Sequence, residues 1–132
     1  MNYTSISQNK KLVELGLNPN SADMCYKCLE DDPYDIVVRP YSDWKEQYKC
    51  LLISKDAKVL PCWSVGALED ILPNLLDISL YFSEYSNTKV WTYALKDEHS
   101  KSGLKLFTNE NRMEALMNAV CWDLENNFIK TE

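Results

Sequence analysis

The chain is poor in the residues that most often carry chemistry. It has one histidine and three glycines in 132 residues. Three isolated glycines supply no loop that could cradle a phosphate. A single imidazole, His99 in the segment Asp97-Glu98-His99-Ser100, leaves little scope for histidine-based catalysis or metal binding. Basic clusters are missing as well: the 14 Lys and Arg are scattered, and Lys10–Lys11 is the only adjacent pair. Binding through counterion release needs several cations on one face, so this distribution argues against direct contact with nucleic acid. No apolar run approaches the ~18 residues of a membrane span. The opening Met1-Asn2-Tyr3-Thr4-Ser5 lacks the basic start and apolar centre of a secretory signal. A cytoplasmic location without membrane attachment is therefore the expectation.

What is there is the composition of an ordinary folded domain: 45% hydrophobic, 26% charged, with four Trp, eight Tyr and three Phe. So many aromatics exclude a disordered chain, and residues 1–132 are expected to form a single globular domain. The formal charge is −6, and the densest acidic run is Glu30, Asp31, Asp32 and Asp35. That run reads as a solvated loop; the alternative is an acidic inhibitor that imitates nucleic acid towards a host factor.

Five cysteines, at positions 25, 28, 50, 62 and 121, are an odd number with no disulfide-framework spacing, which fits reduced thiols. Cys25-Tyr26-Lys27-Cys28 has the spacing with which two thiolates grip one zinc ion. A structural zinc needs four ligands. The remaining two would have to come from Cys50, Cys62, Cys121 or His99, none of which forms a second close pair. Cys25 and Cys28 are thus the candidates for a metal or redox site, but no metal or cofactor is expected. Nucleophilic catalysis would pair Cys62 or Ser64 with His99, yet neither sits in a glycine-rich elbow. No catalytic residue is assigned. A small enzyme or metal protein built on the cysteines remains the second alternative.

The pattern of elements is clearer. Ser5-Ile6-Ser7-Gln8 reads as a capping box opening a helix that Gly16 ends. Asn18-Pro19-Asn20-Ser21 is turn chemistry, with a helical turn expected through Ala22, Asp23 and Met24. Ser42 would cap a short helix holding Trp44 and Tyr48, and Cys50–Ile53 is either a buried strand or that helix's end. Ser64 caps a helix over about 65–72, a place that Asp should serve equally well, and Pro73 stops it. Residues 79–85 and 89–95 alternate as an antiparallel hairpin, and 104–107 supply a third strand. A long helix over about 110–126, capped by Thr108 or Asn109, carries Met113, Leu116, Met117, Val120 and Leu124 in one stripe. The expected class is α+β: a small antiparallel sheet packed by this helix and by shorter N-terminal and middle helices.

Three segments together carry a resemblance. They are Leu15–Pro19 running into Ala22–Tyr26, Leu60–Leu68 running to Ile71-Leu72-Pro73, and Ala115-Leu116 running to Ala119–Asn126. The chain resembles a family of small uncharacterised proteins encoded in prophages and conjugative elements of anaerobic gut bacteria. The resemblance covers about a third of the chain, carries no catalytic motif, and implies an accessory protein of a mobile element.

Two surfaces invite a partner. Tyr81, Tyr85, Trp91 and Tyr93 would stack across one or both faces of the hairpin, as core packing or as a base-stacking face. On the last helix, Trp122 lies roughly 180° from the apolar stripe with Ala115 and Ala119 beside it. That face is either covered within the chain or is an interface between two copies. The reading is a non-enzymatic protein that binds a protein partner or itself.

Overall fold

The computed structural model describes residues 2–27, 35–37 and 59–129. They group into two compact units, one within 1–67 and the other within 68–130. Both are α+β in character, and both sheets are antiparallel.

In the first unit, α1 (Ile6–Glu14) opens on the expected capping box. The Ser5 backbone N–H donates to Gln8 Oε1 at 2.8 Å, and the Gln8 N–H donates to Ser5 Oγ at 3.2 Å. Gly16, at φ 96°, ends the helix. There the N–H of Leu17 reaches back to the Leu12 carbonyl and that of Gly16 to Val13, satisfying carbonyls the helix leaves open. Leu12 and Leu17, which bracket this closure, are both buried.

The helical turn expected over Ala22–Met24 does not form. A 3-10 turn occupies Pro19–Ser21, with Asn18 capping it, and the chain then extends into β1 (Met24–Lys27). Proline at the first helical position starts the turn, which two bonds close, from the Ser21 N–H to the Asn18 carbonyl and from the Ala22 N–H to the Pro19 carbonyl, before the backbone turns extended at Ala22. β1 is the centre of a sheet in the order β2-β1-β3, with β2 at Asp35–Val37 and β3 at Val59–Cys62. Pro61, opposite Cys25, is tolerated because β3 is an edge strand among the described residues. The helix expected after Ser42, the segment Cys50–Ile53, Cys28 and most of the acidic run lie outside the described residues.

The boundary between units falls within α2 (Val65–Asp70). The second unit is a three-stranded sheet in the order β4-β5-β6, formed by β4 (Leu75–Ser83), β5 (Thr88–Lys96) and β6 (Leu104–Asn109). The hairpin forms, but its turn is residues 84–87, so Glu84 and Tyr85, expected in the first strand, lie in the turn, while β4 begins four residues earlier than expected. Asn87 takes the left-handed conformation in its turn, at φ 54°. A bulge between Leu75 and Asp77 ends the regular pairing of β4 with β5.

The last helix, α3 (Arg112–Glu125), packs on β5 and β6. Its cap is Asn111, whose Oδ1 accepts the Glu114 N–H at 3.1 Å, rather than Thr108 or Asn109. Those two are spent in β6, opposite Thr92 and Trp91, so the helix can begin only after them. The stripe Met113, Leu116, Met117, Val120 and Leu124 is buried, and so are Ala115, Ala119, Cys121 and Asp123. A helix buried nearly all round leaves little of itself to solvent.

Candidate functional site

The residues with chemical potential are mostly engaged in structure. Cys62, in the first unit, is fully buried, and burial pushes its thiol up to about 11. A thiol held protonated at neutral pH is a poor nucleophile. It lies in a closed polar knot. Thr4 Oγ1 donates to Asn9 Oδ1 and accepts the Trp63 N–H at 3.0 Å, while the Thr4 carbonyl accepts from Tyr26 Oη at 2.8 Å and from Cys62 Sγ at 3.4 Å. Burial, with Cys62 beside it, raises the Tyr26 phenol to about 12. Cys25 is buried on β1, and no group of three or more metal-ligating side chains exists among the described residues.

Ser64 is a helix cap: its Oγ accepts the Ala67 N–H at 3.1 Å. The structure adds a partner invisible in the sequence. The Asp23 carboxylate accepts from Ser64 Oγ at 2.5 Å and from the Ser64 N–H at 2.9 Å. This changes the expectation that Asp would serve as well as Ser. Ser64→Asp should cap α2 yet set two carboxylates against each other, costing about 1 kcal/mol at pH 7. Asp23→Asn added to Ser64→Asp should recover most of that loss in urea melts; an undiminished loss would mean that the cost is not electrostatic.

In the second unit, His99 is exposed in the loop after β5, its backbone N–H donating to Asp97 Oδ1 at 3.1 Å. A cluster that sequence reasoning did not find joins α2, β5 and α3. Tyr93 Oη donates to Glu69 Oε2 at 2.6 Å and accepts from Arg112 Nε at 3.1 Å. One terminal guanidinium nitrogen of Arg112 donates to both Glu69 oxygens, at 3.1 and 2.8 Å. The guanidinium lies 4.4 Å from the centre of the Trp91 ring. Burial raises the Tyr93 phenol to about 12, and the Arg112 guanidinium is also raised, by hydrogen bonds and charge from Tyr93 and Glu69 acting against its desolvation. The three side chains clamp α2, β5 and α3 together.

The pairing register also separates the hairpin aromatics. Tyr81 is opposite Val90, and Leu80 is opposite Trp91. Tyr81 therefore lies on the other face from Trp91 and Tyr93. The parity of the register decides this, and the turn length that sets it was not readable from residue types alone. Trp122 is half-buried, with ring centres 5.2 Å from Phe128 and 5.9 Å from Phe107. Ala115 and Ala119 have no exposed surface.

The exposed apolar surface lies elsewhere. Leu76, Leu80, Tyr81, Phe82, Tyr85, Leu104 and Leu106 are the exposed large hydrophobics among the described residues, and all belong to the β4-β5-β6 sheet or its hairpin turn. Two circumstances leave them open. On the helix side, α3 lies over β5 and β6, so Leu80 and Phe82 on β4 remain 46% and 56% exposed. On the opposite face, Tyr81, Leu104 and Leu106 surround Val90, Thr92 and Ala94 of the central strand. Clustered exposure of this kind marks an interaction surface more often than scattered single residues do.

No family model, curated protein or solved structure matches this chain. No helix among the described residues is long and apolar enough to cross a membrane.

Proposed function

We propose that this chain is a non-enzymatic, cytosolic accessory protein of a mobile element that works by binding protein, through the uncovered part of its β4-β5-β6 sheet. The observation that supports this reading is the confinement, among the described residues, of the exposed large apolar side chains to that one sheet and its turn. Removing such surface from water is worth about 25 cal/mol per Å², which gives a partner a reason to dock there. The chemistry points the same way: the buried thiol of Cys62 and the Glu69–Tyr93–Arg112 clamp are tied up in packing.

A photoreactive phenylalanine analogue placed at Leu106 tests the reading in the native host, with the same analogue at exposed Glu98 as control. Protein adducts are expected from position 106 and should fall several-fold when Leu104→Glu is added on the same face. Equal adducts from both positions, or none from 106, would sink the proposal.

A further inference from the structure

We infer that the β4 edge of this sheet takes a second copy of the chain, by antiparallel pairing of the two β4 strands about a two-fold axis at Leu80. The inference rests on the reading of the sheet as a protein-binding surface and names its occupant.

The argument begins with the edge itself. β4 is the outer strand of its sheet among the described residues, and over its nine residues it carries no proline, no lysine and one charge, Asp77. Open strand edges usually bear such features because unpaired backbone N–H and C=O groups recruit other chains. The other edge strand, β6, is shorter and carries Lys105. The bulge between Leu75 and Asp77 limits the regular part of β4 to Asp77–Ser83, the seven residues that pair without interruption with β5. The midpoint of that stretch is Leu80.

A two-fold axis there brings residues together whose numbers sum to 160. Leu80 meets Leu80 of the second copy, and Phe82 meets Ile78, all on the face that carries α3. Leu80 and Phe82 are exposed in one copy, and a six-stranded sheet would set them against apolar side chains of the second. On the opposite face Tyr81 meets Ser79, and Asp77 meets the Ser83 hydroxyl, a neutral donor. The two Asp77 carboxylates then sit about 20 Å apart at 3.4 Å per residue, beyond a Debye length of about 8 Å. Every apolar residue of the regular edge faces an apolar or small partner, and the one charge meets no like charge. Pairing registers shifted by one residue would set inward side chains against outward ones.

The test uses the charge at the axis. Cross-strand partners are about 5 Å apart, so Leu80→Lys would oppose two ammonium groups and Leu80→Glu two carboxylates. By sedimentation equilibrium the wild type is expected to be a dimer. Each variant should be a folded monomer, its association weakened about 100-fold or more. An equimolar mixture of the two variants should dimerise again, because the ammonium group of one chain then faces the carboxylate of the other across the axis. A variant that loses its far-UV circular dichroism is replaced by Leu80→Cys with a short bismaleimide, which should trap a dimer beyond the wild-type background. A monomeric wild type overturns the inference. So do variants that stay dimeric, a mixture that stays monomeric, or a Leu80→Cys chain trapped no better than wild type. A monomeric wild type that still gives host-protein adducts from position 106 leaves the binding proposal standing and removes only self-pairing. A dimeric wild type without such adducts does the converse for the host partner.

Discussion

Asp123→Asn is expected to stabilise the protein by about 3 kcal/mol at neutral pH, with the gain shrinking towards zero as the pH falls to about 4. Asp123 stands in the last turn of α3 with no exposed surface. Its Oδ1 accepts one proton from Asn74 Nδ2 at 3.0 Å; the same amide nitrogen gives its other proton to the Lys96 carbonyl at 3.0 Å. Asp123 Oδ2 and Asn74 Oδ1 are both buried without a hydrogen-bond partner. Burial disfavours the carboxylate and raises the group from 3.8 to about 6, against the smaller opposing pull of the Asn74 hydrogen bond. The folded chain therefore holds a proton that the unfolded chain releases. The stability this provides is complete below about pH 3.8 and is lost as the pH rises through about 6. A shift of about two units corresponds to roughly 3 kcal/mol. Asparagine removes the buried charge, and its side-chain oxygen can still accept the hydrogen bond from Asn74 Nδ2. It also takes a negative charge away from a helix C-terminus, where the dipole opposes it. Urea denaturation of both proteins from about pH 4 to 8 reads the difference. A gain that does not change with pH would show that ionisation of Asp123 is not its source.

The local signals in the sequence were the legible ones, because their physics is complete within a few residues. The Ser5–Gln8 capping box, the left-handed Gly16 and the Ser64 cap each need only neighbours three or four positions away, and each stands where expected. The hairpin was legible for the same reason. What depended on distant partners was not. Glu69 and Arg112 are 43 positions apart, and nothing in either segment announces that they share Tyr93. The alternation of β4 correctly sets Leu80 and Phe82 on one face. Whether a helix covers that face depends on where α3 lies across the sheet, and α3 lies over β5 and β6. The same limit applies to Trp122. Its angle on the helix was computable from 100° per residue, but its ring partners, Phe107 before the helix and Phe128 after it, are set by tertiary packing.

Thr4→Val should cost about 3 kcal/mol, although the two side chains differ only by a methyl in place of a hydroxyl. Thr4 is fully buried, and its hydroxyl serves two groups that have no water to turn to: it accepts the Trp63 N–H at 3.0 Å and donates to Asn9 Oδ1. Valine keeps the shape and leaves both groups unpaired, at about 1–3 kcal/mol each. Asn9 is already short of one partner, since its Nδ2 is buried without a hydrogen bond, so the amide would lose its remaining anchor. The Thr4 backbone, bonded through its N–H to the Trp63 carbonyl and through its own carbonyl to Tyr26, is untouched by the change. The loss therefore reports the hydroxyl alone. Two comparisons isolate it. Thr4→Ser keeps the oxygen and should lose only about 1 kcal/mol, for the missing methyl. Asn9→Leu combined with Thr4→Val replaces both partners of one bond by apolar groups and should cost clearly less than the sum of the single changes. Additive losses in that cycle would mean that Thr4 and Asn9 do not form a working hydrogen bond in solution.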